Sequence, residues 1–237
     1  MLLHTEMFGD GEAVVFLHTG LQSGMTDFEH QREYFKHNYK VFVPDLRGHG
    51  KSETTDFSNY FEDCAQDLLE TLDFYKLNKV HLVGCSLGAI VGLFFAKRNA
   101  DRIKTLTLSG ILHKKPDNWL EMHKEDVEFQ AQLLQDEETV NYFNSVHAAD
   151  WKQFIYMGRE ENWYPFEETG DVAAINFPTL YMVGEGNKAE TKGAISYPQL
   201  NDHIHVSIIP FASHLVHSQQ PEIYTRILEV FMEEGNS

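Results

Sequence analysis

A serine stands between two glycines in the stretch GCSLG, residues 84–88, at the end of an apolar run. Gly-x-Ser-x-Gly alone is weak evidence, so the flanking residues decide what it means. KVHLVG before Ser86 has the pattern of a buried strand, and LGAIVGLFFAKR after it has that of a helix. Such a turn lifts a serine hydroxyl above a sheet, at a helix N-terminus that favours negative charge. We expect Ser86 to be a nucleophile and the Leu87 amide to face an oxyanion; the alternative is a turn serine that caps a helix.

A serine hydroxyl becomes a good nucleophile only when a neighbouring base takes its proton. The chain has 13 histidines, and their positions along the predicted elements separate them. His214 follows the last strand-like run, HVSIIP, and precedes the final helix, which puts it on the same rim of the sheet as Ser86. His217 is the nearest rival, whereas His203 and His205 stand at or before the start of that strand. We therefore expect His214 to be the base.

The elements that position these residues alternate along the chain. Strand-like apolar runs occupy 13–18, 39–45, 79–85, 103–110, 178–185 and 205–210. Helical spacing of apolar residues is found at 60–76, 87–98 and 220–233. This alternation predicts an α/β fold with a doubly wound, mostly parallel sheet and functional loops at the carboxyl ends of its strands. The N-terminal LLHTEM alternates and is followed by GDG, which favours an antiparallel edge strand.

Residues 112–177 interrupt this rhythm, with many aromatic residues and no good strand pattern. The segment is too long for a plain loop, so we expect a helical cap or lid insert in a core domain made of 1–111 and 178–237. Its aromatic side chains either pack the insert onto the core or line an apolar pocket beneath a lid.

With these motifs in place, the chain resembles the α/β-hydrolase superfamily over nearly all of its length, in the capped, esterase- and haloperoxidase-like branch with a serine nucleophile. GCSLG resembles the nucleophile elbow of that family. The other similar segments are the His-Gly loop VVFLHTG (14–20), the D-x-R-G-x-G-x-S segment VPDLRGHGKS (43–52) and the histidine segment PFASHLVHSQQPE (210–222). The resemblance implies that Gly20 supplies a second oxyanion amide, although Thr19 stands where the family usually has glycine.

The resemblance leaves the third catalytic group open. In this family an acid usually follows the penultimate strand in a pattern like G-x-x-D, and here that position is Asn187. The family's other acid position corresponds to about Ser109. In a first interpretation, Asn187 orients His214 through its amide oxygen, although replacing aspartate by asparagine in a serine protease can cost about four orders of magnitude in rate. Alternatively, Glu185 or Glu190 reaches His214, or the site is weakened and the protein binds or senses a ligand.

These features predict a serine hydrolase that acts on a small, largely apolar ester-like substrate, a carboxylic ester or lactone, through an acyl-enzyme. Two alternatives stay open: a hydrolase-like ligand-binding or signalling protein with weakened catalysis, and a carbon–carbon bond hydrolase. A dehalogenase or epoxide hydrolase is disfavoured, because such members of the family would carry an aspartate in place of Ser86. We expect no metal and no organic cofactor.

The composition limits the class of partner and the compartment. A net charge of −17 argues against nucleic acid or an anionic membrane as partner, since both require a basic face. Cys64 and Cys85 give neither a disulfide framework nor a zinc spacing, which is typical of reduced thiols in a cytoplasmic protein. We see no long apolar run and no signal-peptide pattern, and expect a small-molecule substrate. Exposed aromatic residues on the insert could equally form a homodimer surface.

Overall fold

A computed structural model describes residues 1–235, which form a seven-stranded sheet with helices on both faces. The strands are β1 Thr5–Phe8, β2 Glu12–Leu17, β3 Tyr39–Pro44, β4 Val80–Cys85, β5 Ile103–Ser109, β6 Thr179–Gly184 and β7 Ile204–Ile209. Their order across the sheet is β1-β3-β2-β4-β5-β6-β7. β1 is antiparallel to β3, and every other pair is parallel. The predicted fold class is therefore confirmed, including the antiparallel edge strand.

Ten α-helices connect and cover these strands in the described part of the chain. They are α1 Glu29–Phe35, α2 Tyr60–Phe74, α3 Leu87–Arg98, α4 Trp119–Leu133, α5 Glu137–Val146, α6 Lys152–Gly158, α7 Phe166–Gly170, α8 Lys188–Leu200, α9 Val216–Gln219 and α10 Pro221–Glu234. The predicted helices at 60–76, 87–98 and 220–233 correspond to α2, α3 and α10. No helix within residues 1–235 is long and apolar enough to cross a membrane.

The sheet separates two apolar clusters that come from different helices. One side buries Leu68 of α2 and Phe94 of α3, and the other buries Phe35 of α1 and Leu228 of α10. Central β4 is buried at all six positions, as its apolar run predicts. The apolar run of β7 predicts a strand that is covered on both faces, but Val206 and Ile208 of β7 are exposed. β7 is the edge strand of the sheet, where helices cover it less completely.

Residues 112–177 contain α4 to α7 between β5 and β6. Their aromatic side chains divide among three environments. Trp119 and Tyr164 pack into the cluster of α2 and α3, whereas Phe143 and Trp151 form a separate small cluster. Others are exposed, including Phe129, Tyr142 and Tyr156. Much of the aromatic content of the segment therefore serves packing. The last two residues of the predicted core range, 236 and 237, lie outside the described residues.

A buried histidine joins this segment to the loops at the carboxyl edge of the sheet. His147, just after α5, donates from Nε2 to the carbonyl oxygen of Leu21 at 2.9 Å. Its Nδ1 accepts the N–H of Gly50 at 2.8 Å. An imidazole that accepts at one nitrogen and donates at the other is neutral. Burial also disfavours the charged ring and holds the pKa of His147 below its ordinary value. This contact holds the helical segment over the loops at 18–22 and 45–52.

Candidate active site

Ser86 occupies a tight turn between β4 and α3. Its backbone has φ 54° and ψ −118°, a conformation that L-residues rarely adopt. The flanking glycines are required by close backbone approach: a Cβ on Gly84 would lie 2.4 Å from the carbonyl oxygen of Gly88, and one on Gly88 would lie 2.0 Å from that of Leu17. The N–H of Ser86 donates to the carbonyl oxygen of Ser109 at 2.8 Å, which anchors the turn to β5. The turn between a strand and a helix is thus the one that the sequence predicts, and its backbone at Ser86 is strained.

His214 lies on the loop between β7 and α9 and faces the serine. Its Nε2 is 3.0 Å from the Oγ of Ser86, a distance at which the hydroxyl can donate to the ring. Its side chain is 45% exposed, so the pair is open to incoming molecules. His217, the rival base, contacts Asp27 through its Nε2 instead.

The carboxylate of Glu190 lies against the other nitrogen of His214. The distance from Nδ1 to Oε1 is 2.6 Å, and the Glu190 side chain is only 4% exposed. Three side chains thus form a continuous chain of contacts: Ser86, His214 and Glu190. This arrangement fixes Nδ1 as the donor and leaves Nε2 free to accept a proton.

The side chain that contacts Nδ1 of His214 is therefore that of Glu190. Asn187, which stands at the family's acid position in the sequence, does not take this role. Asn187 caps α8: its Oδ1 accepts the N–H of Glu190 at 3.2 Å, and its Nδ2 donates to Oε1 of Glu190 at 2.6 Å. Because α8 begins at once, its first turn carries residue 190 back toward the histidine. Glu185, the other glutamate considered, is exposed and accepts the N–H of Phe211.

A local signal in the sequence distinguishes Glu190 from its neighbours. Asn-Lys-Ala-Glu at 187–190 resembles a capping box, in which a helix-capping side chain is followed three residues later by a glutamate that turns back toward the cap. Ser109, the alternative acid position, is the buried last residue of β5, and its hydroxyl donates to the carbonyl oxygen of Gly84.

Electrostatics favours a proton on His214. Partial desolvation opposes the charged ring, but the hydrogen bond and charge of Glu190 outweigh it, with a smaller contribution from Asp126 on α4. Together they raise the pKa of His214 above its ordinary value. An imidazolium formed when Ser86 loses its proton would thus be stabilised. The Oε2 of Glu190 is buried and has no hydrogen-bond partner within residues 1–235.

Side-chain contacts of His18 hold the loop after β2, which carries the Gly20 N–H. Nδ1 of His18 donates to the carbonyl oxygen of Thr19 at 2.8 Å, and its Nε2 accepts the N–H of Leu46 at 2.9 Å. A trans peptide unit points its C=O and N–H in opposite directions, so this carbonyl contact sets the direction of the Gly20 N–H. In the part of the chain that the structure describes, the amides of Gly20 and Leu87 have no protein acceptor. Both amides are therefore free to bind an oxyanion.

An aromatic residue of α6 covers this loop. A Cβ built on Gly20 would lie 2.9 Å from Cε1 of Phe154, so the ring packs directly on the glycine. The same ring meets His49 edge to face, with centroids 4.9 Å apart. The segment between β5 and β6 therefore contributes an apolar wall above the loop at 18–21.

Comparison with known proteins places this geometry in context. The family model for the alpha/beta hydrolase fold matches residues 12–156. The 3-oxoadipate enol-lactonase 1 of Acinetobacter baylyi is 26% identical over 238 residues, which cover 93% of this chain and 88% of that protein. Among solved structures, NosK from Streptomyces actuosus has a TM-score of 0.83 at 24% identity, covering 96% of this chain and 100% of the other. A thermophilic esterase from Thermogutta terrifontis has a TM-score of 0.71 at 22% identity, covering 99% and 94%. At these identities the two structural matches show the fold.

Proposed function

The chain belongs to the alpha/beta hydrolase fold family, and we propose that it is a serine hydrolase that cleaves small, largely apolar carboxylic esters or lactones through an acyl-enzyme. One observation carries the proposal: Nε2 of His214 lies 3.0 Å from Oγ of Ser86, while Nδ1 lies 2.6 Å from the buried carboxylate of Glu190. This arrangement provides a nucleophile, a base and a group that orients the base.

In the acylation half of the reaction, Oγ of Ser86 attacks the carbonyl carbon of the substrate while Nε2 of His214 takes the hydroxyl proton. The carbonyl oxygen gains negative charge and accepts hydrogen bonds from the N–H groups of Gly20 and Leu87. The ester C–O bond then breaks, and His214 returns its proton to the departing alkoxide. Glu190 stabilises the imidazolium throughout these steps.

Deacylation repeats the same chemistry with water. His214 takes a proton from a water molecule, whose oxygen attacks the acyl carbon, and the two amides again bind the oxyanion. Collapse of this intermediate breaks the bond to Ser86, returns the proton to Oγ and releases the carboxylic acid. A lactone follows the same path, with the alcohol and acid parts leaving as one molecule.

The substrate class is supported by the wall of the site and by the relatives. Phe154 packs on Gly20 and gives the oxyanion side of the site an apolar surface. A protein that covers most of the chain in comparison is named an enol-lactonase, and one of the structural neighbours is an esterase. Both names describe hydrolysis at an ester-like carbonyl, the reaction that this arrangement of groups suits.

The alternative of a ligand-binding protein with weakened catalysis rested on the lack of a carboxylate at position 187. Glu190 provides a carboxylate in contact with His214, so that reason for expecting weak catalysis no longer holds. Turnover is accordingly the favoured function over binding alone.

The test is hydrolysis of p-nitrophenyl acetate and butyrate by the native protein and by Ser86→Ala. We expect kcat/KM to fall by at least about 10³ in the variant, because the nucleophile is lost while the oxyanion amides remain. Circular dichroism and thermal unfolding of the two proteins provide the control for folding. Equal turnover by the two proteins would contradict the proposal, and so would tight binding of the ester without turnover by native protein.

A further inference from the structure

A second histidine–carboxylate pair lies behind the oxyanion loop, by which we mean residues 18–21. Nε2 of His217 is 2.7 Å from Oδ1 of Asp27. The side chain of His217 is 2% exposed and that of Asp27 is 10% exposed. The reaction described above uses neither residue, so the pair calls for an explanation of its own.

The carboxylate of Asp27 is bound by three N–H groups. Besides His217, the N–H of Thr19 donates to Oδ2 at 2.8 Å, and the N–H of Phe28 donates to Oδ1 at 3.0 Å. Burial alone would favour the neutral acid, but the hydrogen bond from His217 and the Thr19 amide outweigh it and hold the pKa of Asp27 well below its usual range. Asp27 is therefore a buried carboxylate whose partners include the backbone of the oxyanion loop.

His217 is itself held in place from the side of α1. The ring of Phe28 stacks on it, with centroids 4.2 Å apart and planes at 24°. Nε2 of Gln31 donates to the carbonyl oxygen of His217 at 3.0 Å. Because His217 lies three residues after His214, these contacts join the loop that carries the base to the oxyanion loop.

Side chains hold both polar backbone groups of Thr19. Asp27 holds the N–H of Thr19, and His18 holds its carbonyl oxygen. With both polar groups of the residue fixed, the next N–H along the chain, that of Gly20, has a fixed direction. Removing one partner of a buried pair is destabilising whatever the role of the pair, so a loss of stability does not by itself reveal that role.

We propose that Asp27 and His217 are positioning residues that aim the Gly20 N–H at the oxyanion and keep the oxyanion loop in register with the loop of His214. This inference rests on the proposed function, since it assigns the pair a part in acyl transfer at Ser86. The expected signature is a loss of transition-state stabilisation with little change in ground-state binding.

The test compares Asp27→Asn, His217→Leu and His217→Gln. Thr19 donates to Oδ2 of Asp27 and His217 contacts Oδ1, so asparagine, which has an NH2 group in place of one oxygen, loses one of these two hydrogen bonds. Leucine cannot donate at all. We expect either variant to lower kcat about 10- to 100-fold, somewhat less than the loss of a whole oxyanion donor, with KM within about 2-fold. The side-chain amide of glutamine can still donate to Asp27, so His217→Gln should keep kcat within about 3-fold of native.

Two measurements separate positioning from damage to the fold. Titration with a fluorophosphonate gives kcat per active site, and hydrogen exchange of a peptide spanning 17–23 reports how firmly the loop is held. Asp67→Asn is the matched control, because Asp67 is another buried aspartate, paired with Nε of Arg47 at 2.7 Å. That variant should lower stability without changing kcat per active site or exchange at 17–23.

The proposal is overturned if Asp27→Asn and His217→Leu retain native kcat per active site, or if exchange at 17–23 is the same as in the native protein. It is also overturned if His217→Gln loses as much kcat as His217→Leu, since donation to Asp27 would then be irrelevant. If the native protein itself does not turn over esters, it is the proposed function that fails, and faster exchange at 17–23 in the variants would still support the positioning of the loop by this pair.

Discussion

Replacing Glu190 by glutamine separates two roles of the carboxylate, because Asn187 controls how the new amide is oriented. In the native site Oε1 accepts from both Nδ1 of His214 and Nδ2 of Asn187, at 2.6 Å each. Because both donors face the position of Oε1, we expect the single oxygen of glutamine to take that position. The NH2 group then takes the position of Oε2, which has no partner within residues 1–235. The variant should keep the tautomer of His214 and lose the negative charge.

The size of the effect follows from the distance. Two unit charges about 4 Å apart at an effective dielectric constant of about 20 interact by about 4 kcal/mol. The amide oxygen of glutamine recovers part of this stabilisation of the imidazolium, so we expect kcat/KM to fall about 10²- to 10³-fold. In Glu190→Gln/Asn187→Ala nothing selects the oxygen. The NH2 group can then face Nδ1 and force the ring proton onto Nε2, which brings the loss to about 10⁴-fold.

The assay is hydrolysis of p-nitrophenyl butyrate, corrected for the fraction of active sites. Glu185→Gln is the matched control, because Glu185 is an exposed glutamate near the start of α8 whose Oε1 accepts the N–H of Phe211, a bond that glutamine can keep. It should change kcat/KM by less than about 2-fold, as surface substitutions usually do. If Glu190→Gln stays within about 3-fold of native, the carboxylate does not stabilise the imidazolium. Equal losses in the single and double variants would refute the orienting role of Asn187.

Three further predictions follow from particular contacts. Gly88→Ala puts a Cβ 2.0 Å from the carbonyl oxygen of Leu17, so urea unfolding should show a loss of about 3 kcal/mol or more, and native-like stability would contradict this. The raised pKa of His214 should move the acid limb of kcat/KM to higher pH than an unperturbed histidine would give. Asp126→Asn removes a negative charge that acts on His214 and should move that limb back to lower pH. Because the pKa of His214 is raised in the folded protein, protonation of His214 stabilises the fold at low pH. This contribution is lost as the pH rises through the folded-state pKa of His214. His147→Phe removes two hydrogen bonds to core loops, so limited proteolysis within 112–177 should become faster and KM should rise; unchanged cleavage would show that the histidine does not tether this segment.

The sequence predicts the serine turn and the base because both depend on local order along the chain. Ser86 follows a strand whose six residues are all buried and precedes an apolar helix, so the turn can be inferred without knowing any neighbour. His214 follows the last strand, and the carboxyl ends of parallel strands meet on one rim. These residues lie 128 positions apart in sequence and 3.0 Å apart in space.

The acid illustrates what motif alignment misses. Asn187 and Glu190 are three residues apart, and only the start of α8 between them decides which side chain faces His214. The sequence also does not predict features that depend on the order of the strands or on packing between segments that are distant along the chain. The exposed edge of β7 is one example, and the pairing of His217 with Asp27, 190 positions apart, is another.

The most direct test of the central claim is to identify the residue that reacts with a fluorophosphonate probe. Intact mass spectrometry followed by peptide mapping of the native protein should show one phosphonyl group per chain, on Oγ of Ser86. Glu190→Gln should be labelled more slowly at the same residue, and Ser86→Ala should remain unlabelled. An adduct on a different residue, or ester turnover that persists in unlabelled Ser86→Ala, would contradict the assignment of Ser86 as the nucleophile.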